Sequence, residues 1–248
     1  MFQKMMTGAL IAGVAAGLLA AVLHFAFLQK LILLGEQYET GALVHFQAAP
    51  MAHDATHGAA DASGAAVHGA HDGHDHGAAA GTRSALGRDA LTVGFTVLIY
   101  AAYGMLLTAG FGIAASFGQQ IGATEGLLWG LAGFAAFQLA PGLGLAPELP
   151  GTAAADLGAR QVWWWSTVLA TGAGLALLAY GRSRLLAAVA VALIAAPHVF
   201  GAPVLDGYYG YAPTEVGAMY SARVLGVGLA VWAFLGWLAG RQWARIQA

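Results

Sequence analysis

Cysteine is absent from the 248 residues, which removes disulfides, thiolate metal sites, iron-sulfur clusters and cysteine nucleophiles from consideration. Any metal must be held by nitrogen and oxygen ligands. Charge is scarce as well: Asp, Glu, Lys and Arg make up 9% of the chain, against about 25% in an ordinary globular protein. That excludes a soluble domain, and the net charge of -2 gives no sign of nucleic acid as a partner. Lysine occurs only at positions 4 and 30, and no Gly-x4-Gly-Lys-Ser/Thr run appears. The chain therefore carries no ordinary ATP-binding loop of its own.

Apolar residues fill the space that charge leaves, at 59% of the chain. A helix needs about 20 of them in a row to cross a hydrocarbon core about 30 Å thick. Six such spans are expected, at roughly 6–28, 90–115, 125–145, 162–180, 185–201 and 219–239. The fold class is all-α: a polytopic helical membrane protein, a single integral membrane domain over 1–248, with the lipid bilayer as its solvent. Only Gly181-Arg-Ser-Arg184 separates the fourth and fifth spans, so these two form an antiparallel hairpin. Glycine and alanine within the spans, such as Gly104, Gly130 and Gly174, suit helices whose backbones approach closely in lipid.

With the N-terminus inside, Lys4, Arg182, Arg184, Arg241 and Arg245 flank the inner face, whereas the short outer loops hold only Arg160. The long first loop adds Lys30, Arg83 and Arg88 outside, where loop length makes them count less. This predicts both termini in the cytoplasm of a bacterial cell, with the chain multi-pass in the inner membrane. Lys4, the apolar run and the small residues near Ala20 also fit a signal peptide, but the run is longer than a signal core needs.

Residues 46–89 break the pattern. They are rich in Ala, Gly, His, Asp and Ser without apolar periodicity, and such a segment reads as a flexible extracytoplasmic loop. Seven of the nine histidines, His45, His53, His57, His68, His71, His74 and His76, lie between the first two spans, interleaved with Asp54, Asp61, Asp72 and Asp75. Neutral imidazole suits Co, Ni, Cu and Zn, and neighbouring carboxylates orient or ligate. The segment reads as a collector of divalent metal ions, against a plain solvated linker as the alternative. Which metal it takes is not legible from the spacing.

The same orientation puts His24, Glu36, Glu39, Glu148, His198, Asp206 and Glu215 on the outer face. Two spans carry proline near their outer ends, Gln138-Leu-Ala-Pro141 and Ile194-Ala-Ala-Pro197-His198. Each proline withholds a hydrogen bond from a carbonyl one turn earlier and kinks or ends the helix. The freed carbonyl beside Gln138 or His198 is a candidate cation ligand, with a plain helix end as the alternative. Glu125 is expected to cap the third span, and Arg160 with Trp163, Trp164 and Trp165 to anchor the fourth at the membrane interface.

Across the chain, Leu31-Ile-Leu-Leu-Gly-Glu36-Gln-Tyr38-Glu39, Ala146-Pro-Glu148-Leu-Pro-Gly151, Ala159-Arg160-Gln161-Val-Trp163-Trp164, Ala196-Pro-His198-Val-Phe-Gly201-Ala-Pro203 and Pro213-Thr-Glu215 resemble the CbtA family of cobalt transporter subunits. The motifs run in family order over almost the whole chain. Ala146 stands where the family often has a second proline, and Gly35 where a small residue is common. The resemblance implies uptake of Co²⁺ for cobalamin biosynthesis, together with a small single-span, histidine-bearing partner subunit of the CbtB-like kind. It carries over Glu36, Glu39, Glu148, His198 and Glu215; their role as metal ligands is inferred from their chemistry and shared face. Ni²⁺ and Zn²⁺ remain open as substrates, and no organic cofactor is expected.

Two rival readings stand beside transport. His53-x3-His57 and His71-x2-His74 look like fragments of di-iron oxidase boxes, but such sites need ligands fixed on several rigid helices, so the chain is not expected to be an enzyme. A membrane-anchored metal-binding accessory or buffer protein without transport activity of its own is the more serious alternative. The chain shows no acidic series across the membrane centre and no convincing internal repeat.

Overall fold

A computed structural model describes residues 2–45, 85–207 and 209–247. Among them are six helices and no strand: α1 (Phe2–Glu39), α2 (Ala85–Ser116), α3 (Ala123–Gly144), α4 (Leu157–Tyr180), α5 (Arg184–Phe200) and α6 (Thr214–Gln247). The expected all-α membrane architecture is present. Five helices are long and apolar enough to cross a membrane. The expected fifth span, α5, has 17 residues and at 1.5 Å per residue reaches about 25 Å, short of a full hydrocarbon core. Helix boundaries also outrun hydropathy. Polar ends continue three of the helices, so Glu36 and Glu39 lie on α1 itself, α2 begins inside the segment read as loop, and α6 begins at Thr214. The rest of that segment, with His53, His57, His68, His71, His74 and His76, lies outside the described residues.

Local chemistry sets several helix ends. The Gly122 N–H donates to Glu125 Oε2 at 2.9 Å, so Glu125 caps α3 as expected. The Ala159 N–H donates to Asp156 Oδ1 at 2.8 Å to start α4, and the Leu186 N–H donates to Ser183 Oγ at 3.2 Å to start α5. Gly201, with φ +83°, ends α5 in a conformation that a side chain would strain.

The helices run up and down, and their closest seams are glycine on backbone. A Cβ on Gly13 of α1 would lie 2.5 Å from Cα of Ala101 on α2, and one on Gly126 of α3 would lie 2.6 Å from Cα of Gly240 on α6. Gly126 with Gly130 faces Gly236 with Gly240, so two small-x3-small stripes meet and let backbones touch. Between the seams, aromatic side chains fill the core. Trp232 of α6 is fully buried, stacked at 5.7 Å on Phe137 of α3 and tilted at 4.6 Å against Tyr103 of α2.

The expected α4–α5 hairpin is present, closed where Gly174 meets Ala190 and Ile194. It stands beside the other four helices and meets them mainly along the second half of α3, through Trp164 on Phe137 at 6.0 Å and Trp163 over Gly144.

Two helices contain a π turn, at His24–Leu28 in α1 and Ala135–Leu139 in α3. A π turn inserts a residue and loosens the hydrogen-bond ladder. In α1, the Arg223 guanidinium of α6 donates to the Phe27 carbonyl at 3.1 Å. In α3, the register has shifted by Ala140, whose N–H bonds to the Ala135 carbonyl, and the helix continues past Pro141 to Gly144. Pro197 likewise sits inside α5, which runs on to Phe200. Both prolines therefore mark a last turn rather than an immediate end.

Candidate functional site

One end of the bundle gathers the C-terminal ends of α1, α3 and α5 and the N-terminal ends of α2, α4 and α6. The connection from α3 to α4, residues 145–156, folds across it. Leu149 is buried and packs against Gly35 of α1 at the 3.4 Å a Cβ there would show. Gly151, φ +78°, turns its bare face to Glu39 and Tyr211. Ser221 Oγ of α6 donates to the Pro147 carbonyl at 2.6 Å, and the Ala153 N–H donates to the Tyr209 carbonyl at 2.9 Å. Pinned from three sides, this connection presents Glu148 to Arg160, whose Nη2 donates to Glu148 Oε2 at 3.1 Å.

Two cavities meet at that pair. A vestibule of about 690 Å³ is lined by His45, Thr152, Tyr209 and Thr214 together with Glu148 and Arg160. A cleft of about 370 Å³ lies between α4 and α6 against α3, lined by Gln138, Pro141, Gln161 and Trp164, again with Glu148 and Arg160. At the cleft's inner wall, Gln138 Oε1 is buried with no hydrogen-bond partner. The amide lies over Gly228 of α6, where a Cβ would collide with it, and beside the Tyr100 hydroxyl.

The sequence-selected residues divide accordingly. Glu148 lines both cavities, and Glu39 stands against Gly151 at the same end. Glu36 is half-buried on α1. Glu215 is exposed and accepts from Thr214 Oγ1 at 3.3 Å. His198 lines neither cavity; its ring meets Trp163 edge-on at 5.9 Å, while Trp163 Nε1 donates to the Pro197 carbonyl at 3.0 Å. Trp163 is thus a buried bracket between α4 and α5 rather than an interfacial anchor, and Arg160 is Glu148's partner. Among the described residues no three of His, Asp and Glu converge closely enough to hold a metal ion.

Sequence reasoning passed over two participants. Asp89, assigned to the loop, lies on α2 close enough to His24 to act on it electrostatically and accepts from Gln29 Nε2 at 3.2 Å. Arg223 lies inside a span and escaped the count of flanking charges. Its signal was available in the sequence, since a lone arginine within an apolar helix needs a partner. No curated protein and no solved structure matches the chain. A family model, described as "Probable cobalt transporter subunit (CbtA)", does match, over residues 2–244. With nearly its whole length covered, and with the polytopic helical architecture that a membrane transporter subunit requires, the chain belongs to the CbtA family.

Proposed function

We propose that this chain is the membrane subunit through which Co²⁺ enters the cell for cobalamin biosynthesis. In this reading the His-rich segment collects the ion, and the vestibule at Glu148 receives it, with Glu36, Glu39, Glu215 and His198 at the same end of the bundle as further ligands on the way. The observation that carries the reading is Glu148 on the shared wall of two adjoining cavities. A transported ion must leave as readily as it enters, which favours few and separated ligands over a closed cage. The orientation that goes with it has both termini in the cytoplasm of a bacterial inner membrane. A small single-span, histidine-bearing subunit would complete the complex. Cells carrying Glu148→Ala with His198→Ala are expected to accumulate several-fold less Co²⁺ than wild type at equal protein level; undiminished accumulation would remove these residues from the path.

The alternative is a membrane-anchored accessory or buffer protein that binds metal on the His-rich segment and hands it to another component without transporting it. Purified protein reconstituted alone in liposomes separates the two: Co²⁺ entry supports transport by this chain, and external binding without entry supports the accessory role. Ni²⁺ and Zn²⁺ in the same assay define the substrate range.

A further inference from the structure

The geometry points to the Arg160–Glu148 ion pair as a latch between the vestibule and the cleft, one that a divalent cation opens by displacing the guanidinium, with Gln138 as the cation's next ligand. This rests on the transport reading above and adds to it a gate and an inner position.

Among the described residues, Glu148 and Arg160 are the only charged side chains lining both cavities. At 3.1 Å the guanidinium neutralises the carboxylate, so the closed pair withholds the negative charge that would draw a cation on. The side chains keep 26% (Arg160) and 34% (Glu148) of their exposure, so the pair is wet enough to open and close. A dication competes for a carboxylate far better than a monovalent ion does, because the attraction scales with charge. The latch therefore discriminates by valence.

Beyond it Gln138 lines the cleft, with its amide oxygen turned against Gly228 of α6, one side-chain rotation from the cavity. Gln138 Oε1 is buried without a donor, an unfavourable state for an acceptor, and an amide oxygen is a suitable ligand for a partly dehydrated dication. Gly228 leaves room for the amide at this place. The cleft thus passes an ion from a charged, neutralisable ligand to an uncharged one.

The chain has no cysteine, so Gln138→Cys provides a single thiol whose accessibility can be timed in proteoliposomes with a cationic methanethiosulfonate reagent. Adding Arg160→Gln is expected to speed modification about tenfold or more, the effect of removing one nearby unit charge and its steric block, while Arg160→Lys leaves it within about threefold. Equal rates with Arg160 and Arg160→Gln overturn the latch. Ala154→Cys, on the vestibule wall with Arg160, is the control when both thiols are also timed with an uncharged methanethiosulfonate reagent, which does not feel the lost charge: equal acceleration at the two positions means that the 145–156 connection has come loose, and this too overturns the latch. Leu225→Cys lines the cleft from α6 and gives the same reading if Gln138→Cys does not assemble. The rates need no cobalt movement. Co²⁺ entry with equal thiol rates defeats the latch alone, whereas the expected rates without Co²⁺ entry defeat the transport reading and leave a cation-gated binding cleft.

Discussion

At the scale of single residues, the loop end depends on neutral contacts as much as on charge. Trp163 was legible as an aromatic beside an arginine, which is the pattern of an interfacial anchor. Its actual place follows from Gly144 and Pro197, on two other helices, and no local pattern encodes that meeting. The indole N–H donates to the Pro197 carbonyl at 3.0 Å, beside the Gly201 N–H that reaches the same oxygen at 3.1 Å. Trp163→Phe removes the donor together with part of the ring surface that covers Gly144. It is expected to cost about 1–3 kcal/mol and to lower the thermal unfolding midpoint in detergent, with His198 losing the bracket that positions it. An unchanged midpoint would mean that water or another donor serves Pro197 equally well. Glu148 was legible as a candidate ligand, but its pairing with Arg160 across twelve residues depends on how the connection folds.

At the scale of elements, glycine content announced close packing without saying which stripes meet. The structure separates structural glycines from indifferent ones on the same helices. Gly126 sits where a Cβ would lie 2.6 Å from Cα of Gly240, whereas nothing lies within 4 Å of a Cβ on Gly226. Gly126→Leu must therefore part α3 from α6, a change whose cost reaches or exceeds the usual 1–3 kcal/mol for overpacking. Gly226→Ala should be neutral or slightly stabilising through helix propensity. Monodisperse elution in detergent after mild heating should distinguish them: aggregation of the first and wild-type behaviour of the second. The six helices and the hairpin were readable because hydropathy and a four-residue turn are local signals. The π turns were not, since they arise where α1 and α3 adjust to α6. Residues 85–89 were misjudged because a helix that leaves the membrane keeps its hydrogen bonds while its composition turns polar.

At the scale of the whole molecule, Arg223 alters the argument about sidedness. Among the described residues Lys30, Arg88, Arg160 and Arg223 belong to the loop end, and Lys4, Arg182, Arg184, Arg241 and Arg245 to the other. The basic residues nearly balance, so the proposed orientation rests on the second group's place beside short turns and a terminus. Acidic residues are far from balanced: among the described Asp and Glu, only Glu125 lies at the terminal end. That asymmetry makes the loop end the attractive face for cations. Deleting residues 50–80, which lie outside the described ones, should lower Co²⁺ accumulation at scarce metal and leave it near normal at abundant metal if the segment is a collector. Loss at every concentration would make it part of the path. The wild-type advantage at scarce metal should fade as the external pH falls below about 6.5, where imidazole takes up a proton and ceases to be a ligand; uptake measured from pH 7.5 to 5.5 checks this.

The shortness of α5 has a consequence for how the protein is made. Seventeen residues, with arginines at positions 182 and 184 at the entrance and a proline in the last turn, form a poor membrane segment by themselves. Its partner α4 is synthesised first and waits only three residues away, across Gly181–Ser183. During biogenesis α5 therefore enters the bilayer as the returning arm of a preassembled pair. Lengthening that turn would uncouple the two arms and leave the second one stranded on the side where the ribosome delivered it.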